Sequence, residues 1–234
     1  MTSNARVLEA LSTVYDPELD EPITSLRFVS SCDVTADGDV AVRLRLPTPQ
    51  CAPNFAYLMV ADARSAVRRL PEVREITVVL EDHYTGEEIN SAVARDEGFE
   101  GAFPGETRGE LDSLRELFFR KALVVRQSRL CEALLAGGAT PEEVTARRVA
   151  DLPDHPDARR CLVLREHLGI PAGADAPAFV LPGGEPIAAA DLRHWLRTAR
   201  LVRTGIETNG SICRSLLRVR YGVSDSEQEE VVAA

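Results

Sequence analysis

A proline-rich segment joins two runs of different periodicity, and this junction constrains the fold of the 234-residue chain more than any other feature. Residues 40–46 alternate apolar with polar or small side chains, which predicts a strand with one buried face. The segment 46–53, with sequence LPTPQCAP, then leads into residues 55–70, whose apolar spacing predicts a helix. Cys51 therefore falls where a helix is expected to begin, and the unpaired N–H groups of a helix start stabilise a thiolate.

The elements around this junction predict a compact α+β unit. Apolar spacings of three and four predict a helix over 4–14, and β-prone residues predict a strand over 23–34. The Ala-Asp-Gly-Asp sequence at 36–39 predicts a turn, so that this strand and residues 40–46 pair as an antiparallel hairpin. A further strand is expected over 74–80. The resulting order, α-β-β-α-β, spans about eighty residues, which is within the usual range of a domain.

Four motifs in this unit follow one another in the order and at the spacing of a known family. They are DPEL at 16–19, LRFV at 26–29, LPTPQC at 46–51 and VREITVVL at 73–80. Together they make residues 5–83, about a third of the chain, resemble the SufT-like and PaaD-like domain family. One position departs from the family pattern Leu-Gly-Leu-Val, because Arg27 stands where the glycine is expected.

This resemblance implies a role in iron–sulfur cluster assembly and in the maturation of metalloenzymes. It implies that Cys51 is the thiol that binds the metal, holding an iron–sulfur cluster or iron transiently. Asp16 and Glu18 lie in the segment that family members bring near that cysteine, and Thr48 is placed to hydrogen-bond its sulfur. Residue chemistry alone leaves structural roles open for each: packing for the cysteine, a helix stop for the acidic segment and a helix cap for the threonine.

One cysteine is not enough to hold a cluster, since clusters generally need about four thiolate-type ligands. If Cys51 binds a metal or a cluster, the other ligands come from a second subunit, another protein or distant residues. A transient, shared site of this kind suits a transfer factor.

Composition and charge exclude several classes of protein. A net charge of −10 argues against nonspecific binding of nucleic acid or membranes. No apolar run approaches the roughly 18 residues that span a membrane, and the N-terminal residues lack the pattern of a signal peptide. We therefore expect a cytoplasmic location. The five cysteines are scattered, with no C-x-x-C and no zinc-ligand spacing, so a disulfide framework is not expected.

Beyond the first domain, placed at 1–84, the sequence predicts three further segments. Residues 85–109 mix glycine and proline with two phenylalanines, which predicts an ordered connector whose aromatic side chains dock on a domain. Residues 110–222 predict a mainly helical domain with a small hairpin that returns through Ile187. Residues 223–234 are acidic and are predicted to be a disordered tail.

The helical domain contains the other candidate thiol. Helices are predicted over 110–136, from Thr140, over 156–168, over 188–202 and from Ser211. Cys131 and Cys161 lie on apolar stripes and are assigned to the core. A cap at Ser211 would place Cys213 in the first turn of the last helix and lower its pKa, which makes Cys213 the second candidate for a functional thiol.

Two further features have both a functional and a structural interpretation. His83 follows the third strand and is interpreted as a packing residue, with metal ligation as the alternative. Arg193, Arg197 and Arg200 fall on one face of a predicted helix. They form either a surface for an acidic partner or a solvated face with pairing to nearby acidic residues.

The sequence as a whole favours an assembly or maturation factor over an enzyme. Its partners would be cluster-assembly proteins or a client metalloprotein, with an oxygenase as the client that the resemblance implies. The helical extension is expected to recognise the client or to form a homodimer. The alternative is a metal-free, client-specific chaperone in which Cys51 only packs. A cysteine-nucleophile enzyme would need a His or Asp partner that the sequence does not identify, and the common nucleotide and hydrolase motifs are not found.

Overall fold

The computed structural model describes residues 2–106 and 111–223. Its strands are β1 (Tyr15–Asp16), β2 (Glu21–Pro22), β3 (Val29–Val34), β4 (Asp39–Arg45) and β5 (Glu75–Glu81). Its α-helices are α1 (Asn4–Leu11), α2 (Pro53–Arg68), α3 (Gly86–Ala94), α4 (Gly98–Ala102), α5 (Asp112–Ala136), α6 (Pro141–Thr145), α7 (Pro156–His167) and α8 (Ala189–Tyr221). A 3-10 turn covers Val149–Asp151. The predicted α+β class is confirmed.

The chain divides into two compact units. The first unit runs up to Leu111 and resumes at Asn209, and the second unit is Asp112–Thr208. Helix α8 contributes to both units, because the first unit resumes inside it. The domain boundaries drawn from the sequence, at 84 and 109, stay a prediction, and the predicted acidic tail lies beyond Val223, outside the described residues.

A three-stranded sheet with order β3-β4-β5 forms the centre of the first unit. The predicted hairpin is confirmed, because β3 and β4 pair antiparallel. Strands β4 and β5 pair in parallel, and α2 makes the crossover between them, as parallel strands require. The turn between β3 and β4 needs a glycine: Gly38 has φ +87°, and a Cβ there would lie 2.6 Å from the carbonyl oxygen of Glu72.

Strand β5 is an edge of this sheet, and a side chain covers part of the edge. The Leu80 backbone N–H donates to Asn90 Oδ1 at 2.8 Å, and Asn90 Nδ2 donates to the Leu80 carbonyl at 3.1 Å. The amide of Asn90 thereby makes the two hydrogen bonds that a neighbouring strand would make at this position.

The segment predicted to be a connector is folded onto the first unit. Phe99 and Phe103 are both buried, and their ring centroids lie 4.9 Å apart. Phe99 also meets Tyr57 of α2 edge-to-face at 5.4 Å. The docking of the aromatic side chains, which the sequence predicted, therefore occurs on α2.

The second unit has its own apolar core, built mainly from α5, α7 and the first part of α8. The predicted core cysteines Cys131 and Cys161 are both buried in it. Arg165 is 1% exposed, and its guanidinium donates to the carbonyl oxygens of Pro171, Pro177 and Ala178. This arginine fixes the loop after α7 to the core, since buried donors need acceptors.

Other predicted elements of the second unit are also found. Thr140 and Glu143 form the predicted capping box of α6. The small hairpin is reduced to one antiparallel bridge between Val180 and Pro186. No helix among the described residues is both long enough and apolar enough to cross a bilayer.

The prediction of two separate C-terminal helices was wrong. Helix α8 is continuous over 33 residues, so Ser211 does not cap a helix and Cys213 lies well inside one. Glycine and asparagine inside a helix cost roughly 1 kcal/mol or less each, and burial of one helix face overrides that cost here. Leu192, Leu196 and Leu217 are among the buried residues of this face.

Candidate functional site

Cys51 lies in the segment between β4 and α2 and is half-buried. Helix α2 begins at Pro53 with Ala52 at its N-cap position, so the cysteine precedes the helix by two residues. The thiol is therefore held by a loop rather than by the first turn of the helix. Its sulfur lies 3.6 Å from Thr48 Oγ1, within hydrogen-bonding range for sulfur.

Thr48 takes the sulfur-binding position and not the capping position. No side chain caps α2, and the Thr48 carbonyl oxygen accepts a hydrogen bond from the Cys51 N–H at 3.4 Å. The threonine thus contacts the cysteine through both its hydroxyl and its backbone. The turn 48–51 presents the thiol with a hydroxyl beside it.

His83, which follows β5, hydrogen-bonds the loop that carries Cys51. Its Nε2 lies 2.8 Å from the Cys51 carbonyl oxygen and donates to it, since a carbonyl only accepts. Thr85 lies within hydrogen-bonding distance of the other ring nitrogen, Nδ1. Burial lowers the pKa of His83, the bond to Cys51 opposes this, and the Arg220 charge adds to the lowering. His83 is therefore a neutral donor that holds the cysteine backbone.

The acidic segment before β2 contains the two predicted carboxyl groups of the site. Asp16 is 8% exposed, and its Oδ1 accepts hydrogen bonds from the backbone N–H groups of Glu18 and Leu19 at 2.9 and 2.8 Å. Burial raises the pKa of Asp16 to about 6, although these two hydrogen bonds oppose the rise. The segment thus presents one buried carboxyl group, Asp16, and one more exposed carboxylate, Glu18.

The C-terminal part of α8 contacts this acidic segment and carries a second thiol. Asn209 Nδ2 donates to Glu18 Oε1 at 3.2 Å. Cys213 follows one turn later and is half-buried. Burial, together with the nearby charges of Asp16, Cys51 and Glu18, raises the pKa of Cys213 to about 11, and the Arg214 charge opposes this rise. The predicted lowering of this pKa was wrong, because Cys213 lies inside a helix and beside carboxylates.

Further contacts hold the end of α8 in place. Arg214 Nη1 donates to Glu21 Oε2 at 2.9 Å, and Arg220 Nη2 donates to the Asp82 carbonyl at 3.1 Å. The Arg45 guanidinium lies 4.9 Å from the centre of the Tyr221 ring. Asp82 precedes His83 in the chain, so the last turn of α8 meets the segment that holds Cys51.

The site therefore contains two thiols, two carboxyl groups and a neutral histidine. Among the described residues, no three or more Cys, His, Asp or Glu side chains are arranged to hold a metal ion. The two sulfurs are nonetheless suited to thiophilic metals, since thiolates are the protein ligands of iron–sulfur clusters.

The arginines of α8 include both paired and exposed side chains. Within the second unit, Arg200 and Arg203 both pair with Glu132 of α5, at 3.0 and 2.6 Å. Burial acts to raise the pKa of Glu132, but the hydrogen bonds from the two arginines outweigh burial and lower that pKa. Arg193 and Arg197 are exposed. At least part of the arginine cluster therefore joins two helices.

Sequence reasoning proposed Cys51, Asp16, Glu18 and Thr48 as site residues, and all four lie in the first unit. It missed the contributions of Asn209 and the last turn of α8. No local signal could have found them, because they meet the site only through the fold of the whole chain.

The part of the chain that resembles known proteins contains several residues of the candidate site. A model of the family described as iron–sulfur cluster assembly protein matches residues 4–78. That match includes Asp16, Glu18, Thr48 and Cys51 and ends before His83 and Cys213.

Three curated relatives each match part of the chain. An uncharacterised protein of Methanocaldococcus jannaschii is 30% identical over 97 residues, which is 42% of this chain and 100% of that relative. An iron–sulfur cluster carrier protein of Deinococcus radiodurans is 38% identical over 76 residues, 32% of this chain and 21% of that relative. An Fe–S protein maturation auxiliary factor of Porphyromonas gingivalis is 32% identical over 74 residues, 32% of this chain and 69% of that relative.

Proposed function

Because this chain belongs to the iron–sulfur cluster assembly protein family, we propose that it is an accessory factor for cluster assembly or metalloenzyme maturation that handles its cargo through Cys51. The cargo is iron or a nascent iron–sulfur cluster, held transiently. The observation that carries this proposal is the setting of the Cys51 thiol. It is half-exposed on a loop whose backbone is tied to His83, with the Thr48 hydroxyl at the sulfur.

This setting suits a carrier better than a resident metal centre. A cluster generally needs about four ligands, so the donor or client protein supplies ligands while the cargo is exchanged. Partial exposure of Cys51 leaves the sulfur accessible to such a partner. The resemblance to PaaD-like proteins supports an oxygenase-type metalloenzyme as the client.

The names of two relatives, a cluster carrier protein and a maturation auxiliary factor, support the same role. These names describe a carrier and an auxiliary factor, which supports an assisting role for this chain. A function for the second unit follows from its position outside the family match: it is the part available to recognise the client.

The test is anaerobic purification followed by iron and acid-labile sulfide analysis. We expect metal in the native protein and loss of that metal in Cys51→Ala. Cys32→Ala is the matched control, because Cys32 is a buried cysteine of the same unit, in β3. Equal metal content in native protein and Cys51→Ala would overturn the proposal. A Cys51→Ala variant that fully supports maturation of its client would instead favour a metal-free chaperone.

A further inference from the structure

We infer that Cys51 and Cys213 form one dithiol site, in which the C-terminal part of α8 supplies the second ligand for a thiophilic cargo. This inference rests on the proposed function, because it names the second residue that would hold the same cargo. Cys213 lies outside the region that the family model matches.

The contacts of α8 place Cys213 at the Cys51 loop. Asn209 bonds Glu18 at one end of this helical stretch, and Arg220 bonds the Asp82 carbonyl at the other. Cys213 lies between these two contacts. The Asp82 end adjoins His83, which bonds the Cys51 backbone.

The periodicity of the helix directs Cys213 toward the same side. Residues four apart share a helix face, and Asn209, Cys213 and Leu217 are spaced in this way. Leu217 is 2% exposed, so this face of the helix is the one that packs on the first unit. Cys213 is itself half-buried on that face.

The electrostatic surroundings agree with this placement. The charges of Asp16, Cys51 and Glu18 all act on the Cys213 thiol, so these groups lie within electrostatic range of Cys213. Both cysteines are half-buried residues, unlike the buried Cys32, Cys131 and Cys161. The chain thus presents two accessible thiols at one place.

Two thiols change what the site can bind. A second ligand on the same protein acts at a high effective concentration and raises affinity by roughly 10²–10⁴-fold over one ligand. Two sulfurs also provide half of the four thiolate-type ligands that a cluster generally needs. The remaining ligand positions stay open for the donor or client.

The test uses phenylarsine oxide, a trivalent arsenical that bridges two neighbouring thiols. Each As–S bond forms as the thiol loses its proton, and the arsenic-bound oxygen leaves as water. Full-length protein is titrated anaerobically, and the protected cysteines are mapped by alkylation and mass spectrometry. We expect one equivalent to bind and to protect Cys51 and Cys213 together. Cys51→Ala and Cys213→Ala should each weaken binding at least about 100-fold.

Two controls separate this site from the other cysteines. Cys32→Ala should bind the arsenical like the native protein. Cys213→Ala combined with Ser215→Cys keeps the number of thiols but moves one off the buried face, because Ser215 is exposed. This double variant should not recover binding. Circular dichroism establishes that each variant is folded.

The outcomes distinguish this inference from the proposed function. Native affinity in Cys213→Ala, or protection that maps to the core cysteines Cys131 and Cys161, would overturn the dithiol site. Loss of iron in Cys51→Ala with full iron in Cys213→Ala would also overturn it, while the proposed function would stand. Dithiol binding without any iron in the native protein would support the site and contradict the proposed function.

Discussion

The two units differ in which residues adopt a left-handed backbone. In the second unit, every described residue with clearly positive φ is a glycine: Gly138, Gly169 and Gly184. The first unit contains glycines of this kind too, but also four other residues: Asp20, Arg27, Asp82 and Asp96. Left-handed backbone costs a non-glycine residue roughly 1–2 kcal/mol, and less for aspartate, so the first unit retains conformational strain that the second avoids.

The thiols and buried charges of the two units show the same difference. In the second unit, Cys131 and Cys161 lie in the apolar core, and the terminal nitrogens of the buried Arg165 donate to backbone carbonyls. Burial raises the pKa of Cys131 far above its usual range. In the first unit, Cys51 and Cys213 are half-buried, and the charges of Asp16 and Glu18 act on the Cys213 thiol.

This contrast indicates that the second unit is optimised for packing, while the first unit retains a destabilising polar cluster. Strain and perturbed ionisation of this kind concentrate at functional sites. Two of the strained residues, Asp20 and Asp82, lie within a few residues of the Asp16 segment and of His83. The contrast therefore predicts that substitutions have opposite signs in the two units.

The largest effect is expected from Asp16→Asn at neutral pH. Burial raises the folded-state pKa of Asp16 from 3.8 to about 6, so the folded protein favours the protonated form. The stability gained by protonation is complete below about pH 4 and is lost as the pH rises through about 6, a change of up to about 3 kcal/mol. Asparagine stays neutral and keeps the accepting oxygen. We therefore expect the variant to be more stable by up to about 3 kcal/mol at pH 7 and nearly equal at pH 4.

Urea denaturation at several pH values, followed by circular dichroism, measures this difference. Asp37→Asn is the control, because Asp37 is exposed in the β3–β4 turn. A difference between Asp16→Asn and native protein that is the same at pH 4 and pH 7 would contradict the prediction.

The next effect has the opposite sign and belongs to the second unit. Cys131→Ser places a hydroxyl in the apolar core and should lower the free energy of unfolding by about 2 kcal/mol. Trp195, the only tryptophan, is 8% exposed in the same core, so its fluorescence reports on this unit. The matched variant Cys213→Ser should change stability by less than about 0.5 kcal/mol. Equal losses in the two variants would remove the contrast.

A smaller effect is expected from relief of backbone strain in the first unit. Arg27 has φ +60° at the position where the family pattern has glycine. Arg27→Gly should raise the free energy of unfolding by about 1 kcal/mol, since glycine adopts this conformation without steric cost. Arg43→Gly in β4 is the control and should lower it, because glycine weakens a strand interior. Thermal denaturation that ranks Arg27→Gly below the native protein would refute this explanation.

The smallest effect concerns the thiol itself. Thr48→Val removes the hydroxyl that lies 3.6 Å from the Cys51 sulfur. Stability should change by less than about 0.5 kcal/mol, but alkylation of Cys51 should slow by about two- to threefold, because a hydroxyl donor stabilises the thiolate. Iodoacetamide kinetics, with Thr77→Val in β5 as the control, measure the change. Faster alkylation in Thr48→Val would show that the hydroxyl does not support the thiolate.

Local patterns in the sequence predicted most of the first unit. Alternation predicted β4, the Asp-Gly turn predicted its hairpin with β3, and apolar spacing predicted α2. Each of these elements buries one face, and that burial gives its sequence the periodicity from which it can be predicted. The pair β1 and β2 was missed, because strands of two residues carry no periodicity.

The composition of the candidate site was predictable only in part. Asp16, Thr48 and Cys51 lie in motifs that can be read locally. Cys213 was named as a candidate thiol for a wrong reason, an expected cap at Ser211. Asn209-Gly210-Ser211 has the composition of a helix break, whereas the structure continues α8 through it. The contacts of that helix with Glu18 and Asp82 are long-range and have no signature in either segment.

The amide of Asn90 has a consequence for how copies of this protein meet one another in concentrated solution. Open sheet edges are templates on which a strand from another molecule can add, and the addition can repeat into aggregates. At Leu80 the N–H and carbonyl of β5 are already engaged by Asn90. An incoming strand therefore loses two hydrogen bonds at the carboxyl end of this edge, which shortens the surface available for self-association.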